Sequence, residues 1–228
     1  MKPEAYTGVE NLETMSLAVN YNQFLVSEIL RHGHSATTSL DFGAGTGTFS
    51  GALSRHGLKV TCLEPDEELS RRLRAQGMAV CSRVEDLPAG HFDFVYSLNV
   101  LEHIEHDLEA LRQLKSRLKP GGTFYFYVPA FNVLFSSMDR KVGHFRRYTK
   151  SGLIRVATEA GLKVERAGYV DSVGFLVALL FRFIGNDDGE INPGMLKIYD
   201  RFVFPVSRVL DFLCRPFFGK NVYISGKI

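Results

Sequence analysis

Short apolar runs alternate along most of the chain with longer stretches whose apolar positions recur every three or four residues. The runs inside "TTSLDFG", "FDFVYSL" and "TFYFYV" are too short for helices and rich in β-branched and aromatic residues, so they predict strands. Strands are expected at 38–42, 59–63, 79–82, 92–96, 123–128, 164–169 and 222–227. Helical spacing fills the intervals, most plainly at 105–118, where Leu108, Leu111, Leu114 and Leu118 share one face. "KPGG" ends that helix, because Pro120 cannot continue the ladder and glycine permits the turn that follows. Alternation of this kind predicts an α/β domain with a largely parallel sheet.

The two ends of the chain differ from this core. "LAVNYNQFLVSEIL" places Tyr21, Phe24, Leu25 and Ile29 at helical spacing, so a leading helix is expected to pack on the domain or over its cleft. Residues 171–220 interrupt the pattern before the last strand. There Val206, Val209, Leu210 and Leu213 form an apolar stripe between Pro205 and Pro216, which predicts an amphipathic helix. The organisation expected is a single domain: a helical extension over 1–36, a core over 37–170, a helical insertion over 171–220 and a last strand over 221–228.

Composition narrows the class. A chain of 228 residues, with 45% hydrophobic and 23% charged residues, suits one globular domain. A formal net charge of +2 lacks the dense basic character of a nucleic-acid binder. Cys62, Cys81 and Cys214 show no metal-binding or disulfide spacing and read as buried thiols, so no metal site is expected. "MKPEAYTGVENLET" has no apolar core of a signal peptide, and "GFLVALLF" is too short to span a bilayer; a cytoplasmic protein is expected.

The chemistry concentrates in "LDFGAGTGTFS", a glycine-rich turn directly after the first strand. A P-loop requires a lysine after its last glycine to neutralise phosphates, and no lysine follows Gly47. A dinucleotide fingerprint requires G-x-G-x-x-G, whereas Gly43, Gly45 and Gly47 stand at every second position after an acid, Asp41. An acid there suits an ammonium group better than a pyrophosphate. Roughly twenty residues on, Glu64 in "VTCLEPD" ends the next strand, where a carboxylate accepts both hydroxyls of a ribose. A ribose joined to an amino-acid head group describes S-adenosylmethionine.

At these residues the chain resembles the class I S-adenosylmethionine-dependent methyltransferases. The resemblance runs from Leu40 to Gly168 through "LDFGAGTG", "LEPD", "VEDLP", "FDFVYSLNVLEHI", "LKPGGTFYFYVP" and "RRYTKSGLIRVATEAGLKV", in that order. It implies a Rossmann-like seven-stranded sheet, order 3-2-1-4-5-7-6 with strand 7 antiparallel, and the cofactor across the carboxyl ends of the first strands. It also implies cofactor contacts. Asp41, Gly43, Ala44, Gly45 and Gly47 would line the methionine end, Glu64 the ribose, and Pro65 and Asp66 the adenosine. Val84, Glu85 and Asp86 would bracket the adenine, Asn99 and Val100 would approach the sulfonium, and Tyr21 would cover the cofactor or face the core.

The acceptor is less legible. The fourth strand ends in "SLNVLEHI", without the prolines and aromatic found in methyltransferases of adenine or glutamine amino groups; "VLEH" instead resembles small-molecule enzymes of quinone and sugar pathways. His103 reads either as a catalytic base or as the residue that fixes the next helix. "MDRKVGHFRRYT" crowds Asp139, His144, Arg146, Arg147 and Tyr148 into one loop. On the functional reading the loop is an acceptor pocket, with His144 as a base, Tyr148 as a further catalytic candidate, Arg146 and Arg147 as a clamp for a carboxylate or phosphate, and Asp139 as a further substrate-binding residue. On the plain reading the arginines anchor the loop and Thr149 caps a helix. With "ENLETMSLAVNYNQFL" and "PFFGKNVYISGK", this segment resembles a bacterial subgroup associated with glycosyltransferases. The expected activity is methyl transfer, chiefly to oxygen, on a small-molecule, glycan or lipid-linked acceptor. The rivals are N- or C-methylation, a silent cofactor-binding domain, and a nicotinamide oxidoreductase, which the glycine loop disfavours. The insertion is expected to roof the acceptor site or form a dimer contact in preference to resting on a membrane.

Overall fold

In the computed structural model, residues 8–184 and 192–228 are described, with the backbone alone for 181–184. Part of the insertion, 185–191, lies outside them. Two helices, α1 (Val9–Met15) and α2 (Val19–His32), lead into β1 (Thr38–Phe42). The core continues as α3 (Thr48–Arg55), β2 (Lys59–Leu63), α4 (Glu67–Ala75), β3 (Ala79–Cys81) and β4 (Phe92–Leu98). Then come α5 (Asp107–Arg117), β5 (Leu118–Pro129), α6 (Ser137–Lys141), α7 (Lys150–Glu159) and β6 (Lys163–Val170). The insertion supplies α8 (Ser172–Ile184), α9 (Pro193–Ile198) and α10 (Phe204–Cys214), joined to α9 by a wider-than-α turn, before β7 (Asn221–Lys227).

The sheet has seven strands in the order β3-β2-β1-β4-β5-β7-β6. β7 runs antiparallel to both neighbours. The predicted order and direction are therefore the observed ones. Because successive strand side chains point to opposite faces, the aromatic run of β5 feeds two cores. Phe124, Phe126 and Val128 join Leu40, Val95, Leu111 and Leu153 on one face. Tyr125 and Tyr127 join Phe94, Tyr96, Leu25 and Ile29 on the other. The leading helix α2 thus packs against the sheet with the side predicted for it.

The insertion departs from its pattern. Val206, Val209, Leu210 and Leu213 of α10 are exposed, and the helix buries Phe204, Ser207 and Asp211 instead. Backbone satisfaction explains the inversion. The first N–H groups of a helix have no partner within it. Asp211 accepts the N–H groups of Asp171 and Ser172 at 2.9 Å each, and Ser207 Oγ accepts that of Val173 at 3.1 Å, at the start of α8. Asp200 does the same for α2, accepting from Asn20 and Tyr21 at 2.9 and 2.8 Å. Polar residues inside and apolar residues outside is the opposite of what amphipathic spacing predicts.

Smaller corrections concern the cysteines and the turn after α5. Cys62 is buried, but Cys81 and Cys214 are partly exposed. The β5 strand begins at Leu118, immediately after α5, and "KPGG" lies within an irregularity of its pairing with β4, with Gly121 at φ 76°. Thr149 caps α7 as predicted, accepting from Gly152 N at 3.1 Å.

Candidate active site

Among the described residues, three other than glycine adopt left-handed backbone, Asn99, Phe131 and Asp171, with φ of 54°, 60° and 66°. Each lies just beyond the carboxyl end of a strand: β4, β5 and β6 respectively. A non-glycine residue in this region costs of order 1–3 kcal/mol, and such positions cluster at functional sites. The glycine turn after β1 opens at the same edge. Its backbone is equally constrained: Gly43 and Gly45 have φ of 79° and 55°. A side chain at Gly43 would collide with Val100, so the loop packs directly on the end of β4.

Glu64 organises this turn. Its carboxylate, 6% exposed, accepts the N–H of Gly45 at 2.8 Å and that of Asp66 at 3.0 Å. Burial raises its pKa, while those two N–H groups hold it down. Each carboxylate oxygen keeps a further lone pair for a ribose hydroxyl. Asp66 serves locally by capping α4 through Leu69 N at 2.9 Å, next to Pro65. Asp41 is placed differently from expectation: its carboxylate points into the domain, 4% exposed, and accepts the Ser50 hydroxyl of α3. Burial pushes it up to about 6, against the hydrogen bond from Ser50. Its side chain therefore braces β1 on α3, and the groups left to face a ligand are the backbone of Gly43, Ala44, Gly45 and Gly47.

α1 closes over the turn from above. A Cβ built on Gly45 would meet Leu12 at 3.3 Å, and Glu13 of the same helix pairs with Arg72 of α4 at 3.0 Å. Neither residue was singled out in the sequence, because a seven-residue helix carries little periodic signal. Val84 is partly buried against the core, whereas Glu85 and Asp86 are exposed, with Glu85 3.6 Å from Arg83. Tyr21 reaches toward the strand ends: its hydroxyl lies 3.2 Å from that of Tyr127, and its ring meets Phe204 edge-on at 5.3 Å. Burial holds its hydroxyl well above the usual tyrosine range.

The "GHFRRYT" loop is brought against "VLEH", with Phe145 N donating to the Glu102 carbonyl at 2.8 Å. Asp139, 1% exposed, is its hub. Its carboxylate accepts His144 Nδ1–H at 2.7 Å and both Nε and Nη2 of Arg147 at 2.8 and 2.9 Å. Burial alone would raise this acid, but His144 and Arg147 outweigh it and hold it below the ordinary carboxylate range. Arg146 pairs with Asp107 at 2.9 Å and donates to the Glu105 carbonyl at 2.7 Å. Tyr148, 5% exposed, donates to Asp107 at 2.7 Å. Hence Asp139, Arg146 and Arg147 are engaged with one another and with the scaffold, and Tyr148 stands beneath the loop. In this structure the two arginines and Tyr148 have the partners of the plain reading, in which they anchor the loop. A carboxylate within reach of a guanidinium folds onto it unless something separates them, which sequence crowding alone does not reveal.

His144 and His103 remain. Their rings meet edge-on at 4.4 Å, and His144 Nε2 lies 3.9 Å from Glu102. Burial lowers His103 to about 4 and raises Glu102 to about 8. The sequence pointed to His103 and His144 separately; it gave no reason to single out Glu102, whose place opposite His144 depends on the docking of a distant loop.

A constrained glycine turn held by a buried carboxylate, at the carboxyl edge of an open sheet of this order, is the arrangement of a nucleotide-binding α/β domain. Residues 20–167 match the family model described as methyltransferase domain. The chain belongs to that methyltransferase family, and S-adenosylmethionine is the cofactor that the family brings with it. An uncharacterised protein of Mycobacterium tuberculosis is 29% identical over 129 residues, covering 51% of this chain and 44% of its own. A ubiquinone biosynthesis O-methyltransferase of Xanthomonas campestris is 36% identical over 96 residues, covering 38% and 40%. The chain thus spans less than half the length of these relatives. Among solved structures, an S-adenosylmethionine-dependent methyltransferase of Archaeoglobus fulgidus shares the fold with a TM-score of 0.61 at 15% identity, covering 91% of this chain and 94% of that one.

Proposed function

We propose that the protein transfers the methyl group of S-adenosylmethionine to an oxygen of a small-molecule, glycan or lipid-linked acceptor. One observation carries the choice of oxygen: the Asp139–His144 pair beside the end of β4. Displacement at a sulfonium needs little beyond alignment and exclusion of water. A hydroxyl, unlike a neutral amine, must also shed its proton, so a polar group that handles protons beside the cleft favours oxygen. The O-methyltransferase relative in Xanthomonas supports the same reading.

In this arrangement the cofactor's ribose rests on Glu64, its amino-acid end on the backbone of the glycine turn, and its sulfonium faces Asn99 and Val100. Leu12 and Tyr21 exclude water from above. The acceptor enters between the "VLEH" segment and the insertion. The lipid-linked option gains from the exposed Val209, Phe212 and Leu213, at 75%, 87% and 69%, because apolar surface of this extent suits a lipid contact.

The test is release of S-adenosylhomocysteine from S-adenosylmethionine on matched panels of hydroxylated and amine acceptors. Turnover confined to hydroxylated acceptors is expected. Turnover on amines alone would overturn the assignment to oxygen, and binding of the cofactor without turnover on either panel would favour a silent domain.

A further inference from the structure

Glu102 is fully buried, and neither of its carboxylate oxygens has a hydrogen-bond partner. A charge in that position costs several kcal/mol unless another group compensates it. The Arg147 guanidinium acts on Glu102 through its charge, but Nε and Nη2 are bonded to Asp139, and Nη1 is itself buried without a hydrogen-bond partner. What faces Glu102 is His144 Nε2, at 3.9 Å, too far for a hydrogen bond. The ring cannot turn, because its Nδ1 is tied to Asp139 at 2.7 Å. A carboxylate at Nδ1 keeps the proton there, so Nε2 presents a lone pair to the glutamate. A ring nitrogen and a buried carboxyl group without hydrogen-bond partners thus face each other across a gap. A histidine oriented by a carboxylate with its other nitrogen free is the arrangement that supports metal ligation.

His103 completes the set. Its ring stands edge-on to that of His144, with the centroids 4.4 Å apart. One ligand atom from each of Glu102, His103 and His144 lies within 4.8 Å of the other two. We propose that Glu102, His103 and His144 bind a divalent transition-metal ion, with a coordination position open toward the cleft.

Two imidazoles and one carboxylate suit zinc, manganese, iron or cobalt better than magnesium or calcium, which favour oxygen sets. Zinc fits best, since three protein ligands and one open position are its usual catalytic arrangement. Glu102 forms the floor, and the partly exposed His103 and His144 form the rim. Asp139 and Arg147 are positioning residues that hold His144 in register. Where this rests on the reading of methyl transfer to oxygen, the open position takes the acceptor hydroxyl. With the ion bound, His144 Nε2 would be a ligand and not a base, so the ion would take over from the Asp139–His144 pair the task of lowering the pKa of the acceptor hydroxyl. The proton would pass to water, and the oxygen lone pair would form the new C–O bond as the C–S bond breaks and sulfur keeps the electron pair.

The site is tested without methyl transfer. The full chain, free of any histidine tag and stripped with a chelator, is titrated calorimetrically with zinc chloride and with magnesium chloride, and its cobalt complex is followed by visible absorption. The expected result is one zinc per chain, far weaker magnesium binding, and a four- or five-coordinate cobalt spectrum. Glu102→Gln and His144→Ala should each weaken zinc by at least roughly 100-fold, and Asp139→Asn by roughly 10–100-fold. His34→Ala, in the exposed turn after α2, should leave it unchanged. Zinc binding insensitive to both Glu102→Gln and His144→Ala, or absent from the wild type, would overturn the site. S-adenosylhomocysteine affinity, measured in parallel, shows whether each variant remains folded; His144→Gln, at a partly exposed position, replaces any variant that loses it. Failure of metal binding with cofactor binding intact would refute the metal site and leave the methyltransferase reading standing.

Discussion

Glu64 and Asp41 lie on adjacent strands, yet burial puts them to different uses. Glu64 has two backbone N–H groups and spare lone pairs at the cleft, so its removal acts on the ligand. Glu64→Ala should weaken S-adenosylhomocysteine binding by roughly 10-fold or more, about the 1.5–3 kcal/mol of a hydrogen bond to a charged group; calorimetry showing unchanged affinity would remove its ribose role. Asp41 acts on the fold. Its carboxyl is pushed up to about 6 from 3.8, so between those values the folded chain holds a proton that the unfolded chain has released. Its contribution to stability is therefore full below pH 4 and is lost as the pH rises through 6. The loss is at most about 3 kcal/mol. Asp41→Asn lacks this slope, so urea unfolding at pH 4.5 and 7.5 should show the wild type losing ground to the variant at the higher pH. Tyr148→Phe should likewise cost about 1–2 kcal/mol of stability through the lost bond to Asp107, with kcat maintained in the methyl-release assay.

At the scale of elements, the insertion is held by its polar residues. Asp211 answers two N–H groups at the start of α8, and Asp200 two at the start of α2. Asp211→Ala leaves buried donors without partners and should destabilise the protein by about 1–3 kcal/mol. Val209→Ser, on the outward stripe, should change stability by under about 0.5 kcal/mol. Paired denaturation curves check both, and a larger loss from Val209→Ser would mean that the stripe is covered in solution. The strands were legible because alternation within each short run is a local property, and the observed boundaries of β1 and β2 coincide with the expected ones. The orientation of α10 was not legible. Its spacing specifies which residues share a face, and which face turns inward was decided by the unpaired N–H groups of another helix.

For the molecule as a whole, the open sheet sets the glycine turn, the "VLEH" segment and the "GHFRRYT" loop along one edge, with α1 and the insertion gathered over it. Binding at that edge should stabilise the entire domain. At 100 times its dissociation constant, S-adenosylhomocysteine adds about 2.7 kcal/mol, raising Tm by roughly 5–10 °C in a chain of this size, while NAD should leave Tm unchanged. A shift with NAD alone would contradict the reading of the turn. The sequence by itself determined the order of strands and helices, the glycine turn and the acid at the end of the next strand, since each is written in contiguous residues whose spacing has a direct physical meaning. Tertiary structure alone decided that Asp139 and Arg147 are spent on one another, that the apolar stripe of α10 faces outward, and that Glu102 confronts His144. Those outcomes depend on which polar groups find partners when distant segments close together, and no local pattern records that.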